Sequence, residues 1–322
     1  MLVYAGIDEA GYGPMLGPLC VGLAVFGVRD WLPGQPAPDL WQRLNPSVVR
    51  TPKEAAKGGI PIADSKRLKL SNQSVTRHPL VHLERGVLTT LAAGCSDHTI
   101  SASDSELFNT LHADLGHSAW YSGEPLPLPC GNDEGMLRID AAQLRGSMDH
   151  AGVELLDLRV LVFDENRFNE LLAQHQSKAM VVEAALESQL RSANEHVTDG
   201  RTLRVVADRQ GARTHYGRVL GRVFSQVEPL EESSRASRYQ VDGRHGVILH
   251  SEAEDAHLPV ALASMAAKLV REQAMARFNR YWSARMPELK PTAGYVQDAR
   301  RWLRDTEALV TAQDRQAMVR KA

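Results

Sequence analysis

Three cysteines in 322 residues, Cys20, Cys95 and Cys130, are too few and too scattered for a disulfide framework. Their number is odd, and no two have the short spacing of a zinc finger or ribbon, so a reducing compartment, the cytoplasm, is expected. An excess of charge of one sign is lacking as well. Lys and Arg number 37 against 39 Asp and Glu, a formal net charge of −2. Nucleic-acid binders often carry a basic excess, so any such surface here has to be a local patch within a neutral total. Long apolar runs are absent. Residues 2–7 are too few for a leader or a span, and residues 19–28 are interrupted by Gly22 and Gly27. Nothing approaches the ~20 residues of a membrane helix, and no membrane partner is expected. There is no internal repeat and no low-complexity tail. What is present is ordinary apolar content, 43% of residues, enough for a full core without staples.

Residues 2–8 form a β-rich run ending in acid, followed by Gly11-Tyr12-Gly13-Pro14 and the apolar run 19–28. Two apolar runs about a Gly/Pro turn predict a hairpin. Residues 31–61, rich in Pro, Gly and Lys, predict an excursion of low regularity, and 117–137 a second, irregular insertion. Residues 80–91 suit a strand or a helix, and 105–112 a helix. A strand is expected over 155–163. Met180, Ala184, Leu186 and Leu190 give 170–194 a broad apolar side at helical period. A short strand over 203–207 ends at Asp208, a helix follows over 214–224, and one or two strands over 239–249. Pro259 opens a long helix to about residue 282, Pro being favoured in a first turn, and 298–309 is a final helix. Strands first and strand–helix alternation afterwards predict one α/β domain over 1–322, helical from about residue 260.

The strongest local feature is Asp8-Glu9-Ala10-Gly11-Tyr12-Gly13-Pro14. Neighbouring side chains on a strand point to opposite faces, so both carboxylates reach one site only if the chain bends, which the glycines permit. Asp208 ends a Val-rich strand, where α/β folds place their sites. Asp255 lies beside Glu252 and Glu254 ahead of the long helix. Carboxylates with no thiol or imidazole among them suit Mg²⁺ or Mn²⁺, and such a cluster repels itself without a cation. Taken singly, each acid has a plainer reading: a turn or cap for Asp208, solvated surface for Asp255. Along the long helix Ser264, Lys268, Arg271 and Met275 share a face. Lys268 and Arg271 there suit either a phosphate or a pairing with the acids. His215 and His257 are read as ordinary histidines.

The ordered set of motifs resembles ribonuclease HII (type 2 ribonuclease H). Asp8-Glu9-Ala10-Gly11-x-Gly13 is similar to the family's Asp-Glu-Ala-Gly-Arg-Gly, and Asp64-Ser65-Lys66-Arg67-Leu68 to its Asp-Ser-Lys-Lys-Leu. Val205-Val206-Ala207-Asp208 resembles the strand of the third carboxylate. Arg213-Thr214-His215-Tyr216-Gly217 and Asp255-Ala256-His257-Leu258-Pro259-Val260 resemble segments of the archaeal and eukaryotic branch. The helix from Ala263-Ser264-Met265 to Arg271-Glu272, and Gly294-Tyr295, match later blocks. The chain departs from the pattern at Tyr12, where the family has arginine, and at Arg209 and Glu272. Asp255 to Ser264 is slightly short, so Glu254 stands as the alternative fourth acid.

The resemblance implies a ribonuclease H-like mixed five-stranded sheet flanked by helices, and cleavage of the RNA strand or of an embedded ribonucleotide in RNA/DNA duplexes. It implies Asp8, Glu9, Asp208 and Asp255 as catalytic residues and ligands of Mg²⁺ or Mn²⁺. Gly11, Tyr12, Gly13, Ser65, Lys66 and Tyr295 are implied as substrate contacts, with Lys66 on a phosphate and Tyr295 at the sugar. Tyr12 in place of arginine predicts altered ribonucleotide selectivity. Three readings compete: a junction resolvase-like DNA endonuclease of the same superfold, a homologue that binds nucleic acid without cutting it, and an unrelated phosphate-handling enzyme. The last lacks the Gly-Lys-Ser/Thr of a P-loop.

Overall fold

The computed structural model describes residues 1–95, 99–198 and 200–321. Strands β1 (Leu2–Ala10) and β2 (Leu19–Val28) are apolar runs buried on both faces, as central strands are. They pair antiparallel from Leu2 opposite Val28 to Ala10 opposite Cys20, the predicted hairpin. The excursion over 31–61 is more ordered than its composition suggests. It holds α1 (Leu40–Arg43), β3 (Val48–Val49), α2 (Pro52–Ala55) and β4 (Ile60–Pro61), with β3 and β4 paired in parallel. Asp39 caps α1, and Thr51 and Glu54 form a capping box on α2. Asp64 caps the single turn of α3 (Ser65–Leu68). Residues 80–91 prove helical, in α4 (Val81–Gly94), which is buried on most sides and so shows little amphipathic period. After α5 (Asp104–Thr110) comes α6 (Glu134–His150), so residues 134–137 of the expected insertion are a helix's first turn. Its start signal is Asp133, whose carboxylate takes the Met136 amide.

Beyond β5 (Val153–Phe163), the single helix expected over 170–194 is two, α7 (Glu165–His175) and α8 (Lys178–Glu195). Gln176, left-handed at φ 54°, ends the first, and Ser177 begins the next. Strand β6 (Thr202–Asp208) follows. Of the helix expected over 214–224 only α9 (Gly217–Leu220) forms, bracketed by Gly217 and Gly221. Then come β7 (Val227–Glu232), β8 (Ala236–Val241), β9 (His245–His250), α10 (Ala253–Ala256), α11 (Leu258–Ser283), α12 (Val296–Asp305) and α13 (Ala312–Met318).

The main sheet is mixed and has seven strands in the order β5-β2-β1-β6-β9-β8-β7, not five. The largely exposed β7 pairs only with β8 at the edge, and its sequence Val-Glu-Pro-Leu-Glu-Glu has no apolar face to announce it. Strands β1, β6 and β9 run parallel, so their carboxyl ends lie side by side. One face of the sheet packs under α11, α4 and α6; the other packs under α7 and α8. Helix α11 lies so close to the hairpin that a Cβ on Gly6 would sit 2.1 Å from Pro259 C, and one on Gly22 2.1 Å from Ala263 O. That contact sets the start of α11 directly beside the end of β1. Among the described residues no helix is long and apolar enough to cross a membrane.

Candidate active site

The parallel register sets Ile7 beside Ala207, so Asp8 and Asp208 follow at neighbouring strand ends. Asp208 in turn pairs with His250 at the end of β9, and its Oδ1 accepts the Ala253 amide at 3.4 Å. Three strand ends thus deliver Asp8 and Glu9, Asp208, and the loop carrying Glu254. The bend expected between Asp8 and Glu9 is absent, since the ladder with β2 runs on to Ala10; the two share a site instead because both lie past Ile7, the last residue of β1 paired with β6. Asp8 falls on the α11 side of the sheet. Glu9 lies beyond the last β1–β6 pair, and Asp208, Lys66 and Glu254 are the charges that act on it.

Charge and burial describe one acidic pocket. Burial first, then Glu9, Asp208 and Glu254, push Asp8 well above the usual carboxylate range, partly offset by the Ser264 hydroxyl. Burial and then Asp208 push Glu9 up to about 7, and burial raises Glu254. Lys66 is the cation opposite them. Burial pulls its ammonium down, but Asp64, Glu254, Asp8 and Asp208 together carry it above the ordinary lysine value. Its Nζ lies 4.0 Å from Glu254 Oε1, on a side chain 82% exposed.

Of the two candidates for the fourth acid, Glu254 is the one turned toward the cluster. It is buried, and its Oε2 has no hydrogen-bond partner among the described residues. Asp255 turns outward to Arg67 Nη2 at 2.7 Å, while Arg50 Nη1 binds its carbonyl at 2.7 Å. Left-handed Glu252 (φ 57°) starts the one-turn α10, on which the two neighbours face different ways. The oxygens are not drawn tight: no three of these carboxylates bring ligand atoms within 4.8 Å of one another.

The other predicted residues divide. Gly11 has φ +92°, and a Cβ there would meet Arg271 Nε and Pro18 O at 2.6 Å, so only glycine fits. Nothing lies within 4 Å of a Cβ on Gly13, which faces open space. Tyr12 is half exposed, with Lys178 Nζ 4.9 Å from its ring centroid. Tyr295 is half exposed at the start of α12, and Arg271 lies 5.6 Å from its ring centroid. Gly294 O accepts the Met15 and Leu16 amides, so Tyr295 and the Gly-rich turn form one surface. Ser65 differs from the substrate contact expected of it. It is 4% exposed and its hydroxyl bonds Ser264 at 3.0 Å, which makes it a support beneath Asp8. Lys268 pairs with Glu272 at 2.8 Å, not with the acids. His257 is half-buried, bonded to Tyr4 at 2.6 Å, and desolvation lowers it to about 4.

Two arginines hold the turn instead, Arg271 in place of the phosphate or acid expected for it, and Arg320, for which nothing was expected. Arg271 is buried under the turn, its Nη2 reaching Ala293 O at 3.0 Å. Arg320 arrives from beyond α13, with Nε on Pro14 O at 3.1 Å and its own amide on Met15 O at 2.9 Å. Helical spacing brought up Arg271 but not its burial; no local signal ties Arg320 to a turn 306 residues away.

No family model and no curated protein matches the chain. Among solved structures it is similar to RNase HII of Archaeoglobus fulgidus, seen in complex with PCNA, at 15% identity over 99% of this chain and 93% of that one, TM-score 0.41. It is similar to ribonuclease H2 of Pyrococcus horikoshii OT3 at 16% identity over 94% and 86%, TM-score 0.43. It is also similar to RNase H3 of Aquifex aeolicus at 11% over 98% and 70%, TM-score 0.38. Likenesses this distant carry no weight for function, which has to be drawn from the site itself.

Proposed function

We propose that the chain is a divalent-metal-dependent endonuclease that cleaves the RNA strand, or an embedded ribonucleotide, in RNA/DNA duplexes. One observation carries the reading: Asp8, Glu9, Asp208 and Glu254 gather at the carboxyl ends of adjacent parallel strands, with the Lys66 ammonium close enough to act on all four. The donor set fits Mg²⁺ or Mn²⁺. It is all oxygen, burial and neighbouring acids raise Asp8, Glu9 and Glu254 above the usual carboxylate range, and Glu254 Oε2 is buried without a partner among the described residues. These four carboxylates would hold the metal, with Glu254 in the place first given to Asp255. When bound, the metal supplies Lewis acidity at the phosphoryl oxygen and a hydroxide at neutral pH.

The chain's own groups bind and orient. Lys66, exposed yet anchored by the acids, meets a phosphate oxygen. The open turn at Gly11–Gly13 admits a nucleic-acid backbone. Distinguishing RNA from DNA needs a contact to the 2′-hydroxyl, which we assign to backbone groups of this turn and to Tyr295. Ser65 and Ser264 orient Asp8 from below.

A second reading, altered ribonucleotide selectivity on the same metal site, is favoured by Tyr12 at the centre of the turn. Both are tested with labelled duplexes, one all-DNA and one with a single ribonucleotide, given Mg²⁺ or Mn²⁺ beside an Asp8→Asn control. Metal-dependent cutting at the ribonucleotide alone, lost in Asp8→Asn, supports the first. Equal cutting of both duplexes supports the second. No cutting of either by folded protein overturns the nuclease reading.

A further inference from the structure

Outside the carboxylate cluster, one trio of metal-ligating side chains among the described residues brings its donor atoms within 4.8 Å of one another: His78, Glu84 and Cys130. They come from the approach to α4, from α4 itself and from the Pro-rich segment ahead of α6. Glu84 and Cys130 are 46 positions apart, which is why cysteine spacing reveals nothing.

Glu84 is 0% exposed, and its oxygens receive only neutral donors: the Cys130 and Gly131 amides, each at 2.8 Å, and Asn132 Nδ2 at 3.2 Å. The adjacent Arg85 is spent on Asp140 at 2.7 Å. A buried carboxylate ordinarily has a cation for company, and among the described residues this one has none. The frame around it is rigid. Asn132 Nδ2 also donates to Val81 O at 2.9 Å, and Gly131 packs so close that a Cβ there would lie 2.8 Å from His78 Cβ. The Cys130 thiol is therefore held beside a fixed carboxylate. Partial desolvation, then Glu84, push that thiol up to about 12 although the residue as a whole is exposed, so without a metal it keeps its proton.

We propose that a His78 ring nitrogen, a Glu84 oxygen and the Cys130 sulfur form a binding site for a zinc-class ion that clips the Pro-rich segment to α4. Nitrogen, oxygen and sulfur together favour borderline Zn²⁺, whereas Mg²⁺ prefers an all-oxygen shell. On binding, the S–H bond breaks, a metal–sulfur bond forms and the proton goes to solvent, with no change of oxidation state. Whichever ring nitrogen takes the ion, the 3.3 Å contact from the Leu80 amide to His78 Nδ1 is given up. His78 and Cys130 are exposed and rotate to reach bonding distance; Glu84 stays in place. Three protein donors leave a fourth position, on the side of a cavity of about 730 Å³ that His78 and Cys130 line with Leu126, Gln273 and Thr292.

The test is independent of nuclease activity. The full chain carrying Cys95→Ser, which removes the other exposed thiol, is titrated with Co²⁺ in excess Mg²⁺. The expected result is a thiolate-to-cobalt charge-transfer band that saturates at one equivalent. It should vanish in Cys130→Ser and need ~10-fold or more cobalt in His78→Ala. Zn²⁺ should protect Cys130 from alkylation. The acidic site has no sulfur and cannot produce the band. Both substitutions fall on exposed side chains, and circular dichroism verifies their fold. A band that persists in Cys130→Ser, unchanged affinity in His78→Ala, or neither band nor protection in the parent protein overturns the proposal.

Discussion

Glu254 and Asp255 are neighbours in sequence with opposite surroundings, and substitution should separate them. Glu254→Gln is expected to weaken Mg²⁺ binding and slow cleavage by ~100-fold, the upper end of what perturbing a metal's ligand environment costs. Asp255→Asn removes an exposed partner of Arg67, so activity should stay within a few-fold and stability within ~1 kcal/mol. Calorimetric metal titration and single-turnover cleavage of both variants decide it. Sequence spacing offered Glu254 only as the alternative to Asp255, because their orientation depends on the one-turn helix α10, which no local signal announces. Asp8, Glu9 and Asp208 were legible for the opposite reason: each stands at the end of an apolar strand, and strand ends can be read. Glu165 offers a residue-level test by pH. Burial pushes its carboxyl up to about 7, although it takes the Tyr121 hydroxyl at 2.8 Å and the Gly17 amide at 2.9 Å. With the folded value raised, the contribution to stability is whole at acid pH and is lost as pH climbs from the usual carboxyl range through about 7. Glu165→Gln cannot ionise, so its stability should match wild type near pH 4 and exceed it at pH 8 by an amount on the order of a few kcal/mol. Parallel melting curves at both pH values would count against the buried ionisation.

At the scale of elements, α11 is the organiser, and its attachments were only half visible in advance. Its start at Pro259 and its length follow from composition, but it is buried on nearly every side, so no stripe marks its partners. One of these is α5. Arg277 holds Asp104 with two bonds, at 2.6 and 2.7 Å, in full burial. Asp104→Ala leaves that guanidinium uncompensated and should cost ~3–5 kcal/mol, measured by denaturant unfolding. The break between α7 and α8 falls in the polar run 174–178, where no glycine or proline marks it, and α9 is short because glycines flank it. Arg320 tests the link between an element beyond α13 and the Gly-rich turn. Its guanidinium and amide hold Pro14 and Met15, next to the residues assigned to substrate. Arg320→Ala should raise KM for a ribonucleotide-containing duplex several-fold while metal affinity at the acids is unchanged. Equal loss of both would mean that Arg320 serves general stability and not the turn.

For the whole molecule, the near-neutral total conceals a concentration of negative charge at one end of the sheet. The strands were largely readable; their order was not, because β1 meets β6 and β6 meets β9 across long stretches of chain, and the edge strand β7 carries no apolar signal. That order is what brings the acids together, so the fold holds its metal-free site under electrostatic stress. Asp8 is 8% exposed, and burial and three neighbouring acids oppose its ionisation. A buried polar residue lost from a packed core normally lowers stability. Here the neutral amide of Asp8→Asn removes repulsion while keeping the shape, so in chelator the variant should melt higher than wild type. At ~2–4 °C per kcal/mol for a chain of this size, a rise of several degrees is expected. In Mg²⁺ the order should reverse or close, because wild type gains ligand-binding stability that the variant largely forgoes. Thermal melts of the two proteins in chelator and in Mg²⁺ form the full comparison. A variant that melts lower in chelator, with a magnesium gain equal to that of wild type, would mean that Asp8 is a structural residue and that the cluster is not a metal site.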